Sequence, residues 1–257
     1  MMTTLVRAEL EKLRTIGMPW ALLAASTALT LALALLRAIK SSGGSMNARL
    51  ATGPLSTAHG LTEVLASPTY AMILAMALGA AATAGEFRHG TATITYLAVP
   101  ARSKVLIAKC CAALPAGALF GIAASAANTA VGLAFVAAHG YHLAVPAATI
   151  IRYAAGDAVG CAFLAALGVA AGTLIRSQVA AVIAVFAWAF LIEGALGALS
   201  GSVVRYLPFQ AATSLAGATL PGGSAPLPFA AAAAVTAYAA FVLAAAAARF
   251  TLPRDIT

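Results

Sequence analysis

Six long apolar stretches restrict the folds that this sequence can adopt. They cover residues 19–37, 66–85, 112–138, 149–175, 179–199 and 228–248. Each is long enough to cross the roughly 30 Å hydrocarbon core of a bilayer as a helix, which rises about 1.5 Å per residue. Strands of a membrane barrel would alternate apolar and polar side chains, and these stretches do not. The sequence therefore predicts an all-α integral membrane protein with six transmembrane helices.

The composition excludes a water-soluble domain. Hydrophobic residues make up 62% of the chain and charged residues only 9%, whereas soluble domains average about 45–50% and about 25%. The net charge of +8 comes from Lys and Arg between the apolar stretches. These residues form no basic stripe with interleaved aromatic side chains, so we expect no nucleic-acid partner. Residues 1–257 are predicted to form a single transmembrane domain.

The distribution of Lys and Arg predicts the orientation. Ten of the fifteen basic residues fall on the side of the N-terminus if the six stretches all cross the membrane. Basic residues concentrate on the cytoplasmic side of membrane proteins, so both termini are predicted to be cytoplasmic. The first stretch, after Pro19, is long enough to span the bilayer, and we expect it to be retained rather than cleaved as a signal.

Residues 1–17 are predicted to form an amphipathic helix on the inner membrane surface. Apolar side chains recur every three or four residues, at Val6, Leu10, Leu13 and Ile16. This spacing places them on one helical face. Glu9, Lys12 and Arg14 are the charged residues of this helix that we select as candidates. A plain membrane anchor and a helix that also touches a cytoplasmic partner both fit the pattern.

Two connections between the stretches have a distinctive composition. Residues 86–111, a cytoplasmic loop, mix charged residues with the apolar side chains of Ile94, Tyr96, Leu97 and Val99. Apolar side chains between charges outside the bilayer suit a surface that docks another protein, although a loop that only fixes topology has the same composition. Residues 200–227 are moderately apolar and proline-rich, and we expect an outer re-entrant segment.

Two acidic residues lie inside apolar stretches, at Asp157 and Glu193. A charge at membrane depth is costly and therefore usually has a partner or a function. Arg152 and Arg37 are near enough in the predicted topology to pair with one of these acids. Structural pairing and a role in substrate or proton handling both remain open.

Patterns of catalytic and metal sites are missing from the sequence. There is no phosphate-binding GxxxxGK[ST] loop, and HExxH, GxSxG and CxxC are absent. The spacing of the four histidines and three cysteines matches no metal site. We therefore expect no catalytic residue, metal or cofactor in this chain.

The order of these features is similar to that of a known family. A basic surface helix and a first span precede the sequence GEFRHGT, in which Glu86, Arg88, Gly90 and Thr91 form a Glu-x-Arg-x-Gly-Thr pattern. A Pro-Ala-Arg-x-Lys turn follows, which contains Arg102 and Lys104, and RYLPFQAATSL precedes the sixth stretch. The chain resembles, over its whole length, the permease subunit of bacterial ABC transporters of the type-2 exporter class.

The resemblance implies a division of labour between subunits. Two permease copies, identical or paired with a related chain, would assemble in the bacterial inner or plasma membrane with two cytoplasmic ATPase subunits that bind ATP and Mg²⁺. The segment after Glu86 would be the coupling element, and the residues implied in it are Glu86, Arg88, Gly90, Thr91, Tyr96, Arg102 and Lys104. The permease itself would not be an enzyme. The apolar stretches hint at a hydrophobic or amphipathic cargo, such as a drug, lipid or peptide.

Two other function classes compete with an export permease. A proton-coupled secondary transporter would use Asp157 or Glu193 as the proton carrier, although the sequence lacks the internal repeats common in such folds. An intramembrane enzyme, or a structural subunit of another complex, is the third class. The energy source separates them: ATP hydrolysis in a partner, an ion gradient, or neither.

Overall fold

The computed structural model describes residues 2–42, 56–66, 69–218 and 225–250, and within these ranges all regular structure is helical. Six helical stretches are long and apolar enough to cross a membrane. They are Gly17–Lys40, Ala58–Arg88, Arg102–Ala138, Ala147–Ile175, Gln178–Leu199 and Phe229–Phe250. The predicted all-helical class and the six long apolar helices are confirmed, and this is the pattern of a multi-pass membrane protein.

The described ranges contain twelve α-helices and one π-helical segment, joined by short connections. In chain order they are α1 (Met2–Thr15), α2 (Gly17–Ser42), α3 (Ala58–Leu65), α4 (Thr69–Arg88), α5 (Thr91–Ala98), α6 (Arg102–Ala138), α7 (Ala147–Ile175), α8 (Gln178–Ala187), the π-helical segment Trp188–Ile192, α9 (Glu193–Leu199), α10 (Gly201–Val204), α11 (Pro208–Leu215) and α12 (Phe229–Phe250). The segment α8, the π-helical turns and α9 together form the fifth long helix.

The connection expected at 86–111 is mostly helical. Helix α4 continues to Arg88, α5 fills the middle, and α6 begins at Arg102, ten residues before the apolar stretch at 112. Hydropathy detects only the turns that lie in hydrocarbon, so it misses the charged turns by which a helix extends beyond the membrane. Residues 200–218 hold the short helices α10 and α11, whereas 219–224 lie outside the described residues.

Helix α7 is the centre of the bundle, and α4, α6, α11 and α12 pack around it. Glycines bring the backbones together. A Cβ atom at Gly168 of α7 would overlap the Met76 carbonyl oxygen of α4, and one at Gly121 of α6 would overlap the Asp157 carbonyl oxygen of α7. Small residues allow such close approach, which stabilises helix pairs where lipid surrounds them and no water drives them together.

Helix directions give the bundle two distinct ends. Helices α1 and α5 lie at one end, with the last turn of α4 and the first turns of α6 and α8, and we call this the α5 end. The opposite end, which we call the α11 end, contains α3 and α11. Segment α11 is buried from Phe209 to Leu215 and contacts α7, so this part of 200–227 is folded into the bundle.

Candidate functional site

Helix α5 is held between two long helices and presents an apolar surface. A left-handed turn at Gly90 (φ +68°) leads from α4 into α5, and glycine adopts this conformation without steric cost. Ala92 is buried, and Tyr96 packs against the main core. Ile94 and Leu97 point outward and are 69% and 78% exposed. The helix is therefore anchored on one side and leaves two large aliphatic side chains uncovered on the other.

Basic residues precede and follow α5 in the chain. Arg88 donates a hydrogen bond from Nη1 to Oε1 of Gln178 at 3.3 Å, which ties the end of α4 to the start of α8. The Arg102 guanidinium lies 5.5 Å from the centre of the Tyr96 ring, within the range of a cation–π contact. Lys104 is exposed one turn into α6. Thr91 donates from Oγ1 to the Glu86 carbonyl oxygen at 3.4 Å and supports the turn into α5.

A four-membered charge network joins α1, α4 and α6 beside α5. Lys109 Nζ donates to Glu86 Oε1 at 2.6 Å and to Glu9 Oε2 at 2.9 Å. Lys12 Nζ donates to Glu9 Oε1 at 2.8 Å and to Glu86 Oε1 at 3.2 Å. The two positive and two negative groups balance, and Lys109 is only 7% exposed. We call Glu9, Lys12, Glu86 and Lys109 the charge network.

The ionisation of the two α1 residues reflects this arrangement. Burial raises the pKa of Glu9, but the charge of Lys109 and the hydrogen bonds from Lys12 and Lys109 outweigh burial and hold this pKa below its ordinary value. Burial lowers the pKa of Lys12. The hydrogen bond to Glu9 and the charge of Glu86 raise this pKa by more than burial lowers it, so the pKa lies above its ordinary value. Both residues are therefore stabilised in their charged forms.

A small cavity of about 80 Å³ adjoins the charge network. Its wall also includes Thr83 and Gly79 of α4 and apolar side chains of α1 and α6. Space of this kind can admit water once it exceeds about 10–15 Å³, so the cavity is large enough to admit water. The network can therefore be hydrated from within while α1 covers it.

Three of the four residues of the charge network, all but Lys109, were selected from the sequence as candidates. Glu86, Glu9 and Lys12 meet, whereas Arg14 lies apart and forms an exposed pair with Glu11 at 3.9 Å. Lys109 was not among the predicted site residues. It interrupts an apolar run of α6, and that interruption was the feature that could have identified it.

Glu193 is fully buried and satisfied by the start of α11. It accepts hydrogen bonds from the backbone N–H groups of Phe209 (3.1 Å) and Gln210 (2.9 Å), and from Trp188 Nε1 (2.6 Å). A carboxylate at a helix N-terminus meets unpaired N–H groups and the positive end of the helix dipole. The π-helical segment places Trp188 and Glu193, five residues apart, on one face. The pairing partner is thus α11 and not Arg37 or Arg152.

Asp157 is also fully buried, but neither of its carboxyl oxygens has a hydrogen-bond partner among the residues that the structure describes. The Ser125 hydroxyl of α6 faces this carboxyl without reaching hydrogen-bond geometry. Arg152 is exposed and lies over the Tyr153 ring at 5.5 Å. No ion pair joins Asp157 to a basic side chain in the part of the chain that the structure describes.

An apolar groove of about 430 Å³ opens on the surface of the bundle between the second, fourth, fifth and sixth long helices. Met76, Leu167 and Val185 line the groove together with two aromatic side chains, Trp188 and Tyr238, each of which carries one polar atom. Trp188 also bonds Glu193, so the groove is continuous with the contact between the fifth helix and α11. An apolar molecule fits the chemistry of this lining.

The chain matches no known protein-family model and no curated protein with significant similarity. Among the described residues, no three His, Cys, Asp or Glu side chains are grouped so that they could hold a metal ion. The features of the molecule that bear on its function are the surface of α5, the charge network, the groove and the two buried acids.

Proposed function

We propose that this chain is the membrane-spanning, non-catalytic subunit of an ATP-driven exporter of the ABC class. It would work in a bacterial plasma membrane with both termini in the cytoplasm, as one of two permease chains, identical or related. A separate ATPase subunit would bind ATP and Mg²⁺. The observation that carries this proposal is the exposed Ile94–Leu97 surface of α5, on a short helix that is anchored between two spans.

Helix α5 has the properties of a docking element. Burying an exposed aliphatic side chain stabilises a complex by about 1.5–3 kcal/mol, so Ile94 and Leu97 could contribute substantially to binding. Arg88, Arg102 and Lys104 would ring this apolar centre with positive charge, and an apolar centre with a polar rim is the usual anatomy of a protein interface. A partner surface with an apolar cleft and acidic edges would match it.

The anchoring of α5 gives a route for transmitting motion. Glu86 lies in the last turn of α4, just before α5, and Lys109 lies in the first turns of α6, just after it. A force on α5 would therefore act on α4 and α6 together, and Glu9 and Lys12 would carry α1 with them. Packed helices respond to such a force by shifting between discrete arrangements rather than by bending continuously.

The groove supports the expected class of cargo. Its lining of Met76, Leu167, Val185 and Leu243 is apolar, and the Trp188 and Tyr238 rings each carry one polar atom. We propose that a hydrophobic or amphipathic drug, lipid or peptide is moved along this face. A polar cargo would find almost no hydrogen-bond partner there.

Co-purification from native membranes tests the proposal. We expect a nucleotide-binding ATPase subunit in roughly equal amount with the wild-type chain. Leu97→Glu should reduce its recovery at least tenfold, because the change places a charge in the proposed apolar centre. Leu143→Glu is the matched control, since Leu143 is another exposed leucine (45%) but lies at the α11 end.

Three outcomes are informative. Loss of the ATPase with Leu97→Glu alone supports the proposal. Recovery that neither variant changes would keep an ATPase partner but remove α5 as its docking site. If crosslinking also captures no ATPase, the export permease is refuted, and proton-driven transport becomes the function to test.

A further inference from the structure

A second groove, of about 320 Å³, opens on the surface of the bundle at the α5 end, between α1, α2 and α6. We call it the α1 groove. Helices α2 and α6 give it an apolar wall, which includes Leu23, Leu119 and Phe120. Helix α1 forms its other edge and contributes Arg7, Glu11 and Arg14. The groove is therefore apolar along the long helices and charged where α1 crosses it.

The charged residues of α1 lie on two faces of the helix. Arg7, Glu11 and Arg14 follow one another at intervals of four and three residues, which places them on one face. Glu9 and Lys12 lie on another face, where they enter the charge network. The network thus holds α1 against the bundle and leaves its second charged face at the edge of the α1 groove.

The charge on this edge favours an anionic ligand. Arg7 belongs to no ion pair within the part of the chain that the structure describes. Arg14 and Glu11 form a long contact of 3.9 Å, and their side chains are 75% and 54% exposed. Exposed pairs of this kind contribute little, so Arg14 can exchange Glu11 for a stronger ligand. Two positive groups and one negative group leave one net positive charge, which a single phosphodiester group would neutralise.

Trp20 indicates the depth of this edge in the membrane. Its indole Nε1 donates a hydrogen bond to the Arg14 carbonyl oxygen at 2.9 Å, which fixes the end of α1 against the start of α2. Trp side chains concentrate at the boundary between headgroups and hydrocarbon, because the ring is apolar and its N–H is polar. The arginines therefore lie at headgroup level. Leu23, one turn further along α2, lies at the level of the acyl chains.

We propose that the α1 groove binds one anionic phospholipid, from the inner leaflet in the proposed orientation. Arg7 and Arg14 hold its phosphate, and one acyl chain lies against Leu23, Leu119 and Phe120. A guanidinium group can donate two parallel hydrogen bonds to a phosphate, and basic pockets beside spanning helices suit such headgroups. The site is independent of the ATPase partner and of the cargo, so failure of either proposal leaves the other standing.

A zwitterionic phospholipid matches this edge less well. Its amine would bring a third positive charge beside the two arginines. Glu11 is the only acid among the described residues that line the α1 groove, and it already contacts Arg14. The headgroup charge should therefore decide which lipid occupies the groove.

Native mass spectrometry of the full chain in a mild detergent tests the site. The chain is titrated with phosphatidylglycerol or with phosphatidylcholine of the same acyl chains, and the dissociation constant of the first bound lipid is measured. We expect phosphatidylglycerol to bind about fivefold more tightly or better, since one basic residue near an anionic lipid contributes about this factor. First dissociation constants that agree within about twofold, well short of this factor, would overturn the proposal.

Arginine variants assign the headgroup contact. Arg7→Gln should weaken the first phosphatidylglycerol about fivefold and leave phosphatidylcholine unchanged. Arg249→Gln is the matched control, because Arg249 is an exposed arginine in the last turn of α12, which also ends at the α5 end. It changes the net charge equally but lies outside the groove, so it should bind as the wild type does. Equal effects of the two changes would reduce the preference to general attraction and refute the site.

Tryptophan variants assign the acyl-chain contact. Leu119→Trp fills the groove and should abolish the preferred first binding step for phosphatidylglycerol. Leu133→Trp is the matched control, since both leucines belong to α6 and are 43% and 42% exposed, but Leu133 lies far from the groove. If both variants keep the preferred step, or both lose it, the groove is not the site. All four substituted side chains are exposed, and melting temperatures without added lipid verify that each variant is folded.

Discussion

Replacing Lys109 with methionine tests whether the charge network fastens α1 to the bundle. Methionine retains most of the length and apolar surface of lysine but cannot pair with an acid. In the wild type, Lys109 is 7% exposed and contacts two carboxylates, at 2.6 Å from Glu86 and 2.9 Å from Glu9. The variant leaves these acids, whose side chains are 15% and 12% exposed, with Lys12 as their remaining partner.

The expected cost follows from this geometry. Breaking a buried ion pair by removing one partner costs about 3–5 kcal/mol. Lys12 still contacts both acids and is itself 41% exposed, so we expect the lower end of this range, about 3 kcal/mol. For a chain of this size, 1 kcal/mol changes the melting temperature by about 2–4 °C. Lys109→Met should therefore melt about 6–12 °C below the wild type.

The assay is thermal unfolding in a mild detergent, together with hydrogen exchange of the α1 amides. We expect exchange in α1 to rise selectively, because Lys109 connects α1 to α6. Lys104→Met is the matched control, since Lys104 is an exposed lysine on the same helix. Adding Glu86→Gln to Lys109→Met should recover part of the loss, because it removes one of the two carboxylates that would otherwise share the single charge of Lys12. If Lys109→Met and Lys104→Met melt within 2 °C of each other, the network does not hold α1.

The remaining predictions concern the other described acids. Glu9 has a lowered pKa, so its contribution to α1 docking should be complete above about pH 4.5 and lost as the pH falls through the lowered value. Hydrogen exchange of the α1 amides between pH 7 and pH 3 should show this loss. In Glu9→Gln the protection of α1 should no longer depend on pH in this range. Glu193→Gln removes one of two carboxylate oxygens that accept α11 backbone N–H groups, at a cost of about 1.5–3 kcal/mol. Thermal unfolding should show this cost, whereas Glu11→Gln at the exposed surface of α1 should be neutral; equal effects of the two changes would contradict the cap.

The two buried acids illustrate the limit of sequence reasoning. Their position in apolar stretches was sufficient to select Asp157 and Glu193, because a charge in such a stretch stands out in the sequence alone. The hydrogen-bond partners of Glu193 could not be identified in the same way. The partner of Glu193 is a pair of backbone N–H groups sixteen and seventeen residues away, and backbone groups carry no residue identity that a sequence pattern could reveal.

The charge network shows the same limit for side chains. The amphipathic pattern of α1 and the charge at Glu86 were visible, but the contact of Lys109 with Glu9 joins residues one hundred positions apart. Which faces of two helices meet depends on their relative rotation. That rotation is fixed by close backbone contacts, such as those at Gly121 and Gly168, and not by the hydropathy of either helix.

The sequence alone determined that the chain is helical, how many long apolar helices it contains, and roughly where they lie. These properties follow from side-chain hydropathy summed along a continuous segment, and no distant residue alters the sum. Only the tertiary structure decided that α5 interrupts the connection after Arg88 and that Glu193 caps α11. It also decided that the Asp157 carboxyl has no hydrogen-bond partner within the described part of the chain. In lipid, the inward and outward faces of a helix are similarly apolar, so hydropathy does not predict which side chains meet. The packing between helices determines these contacts.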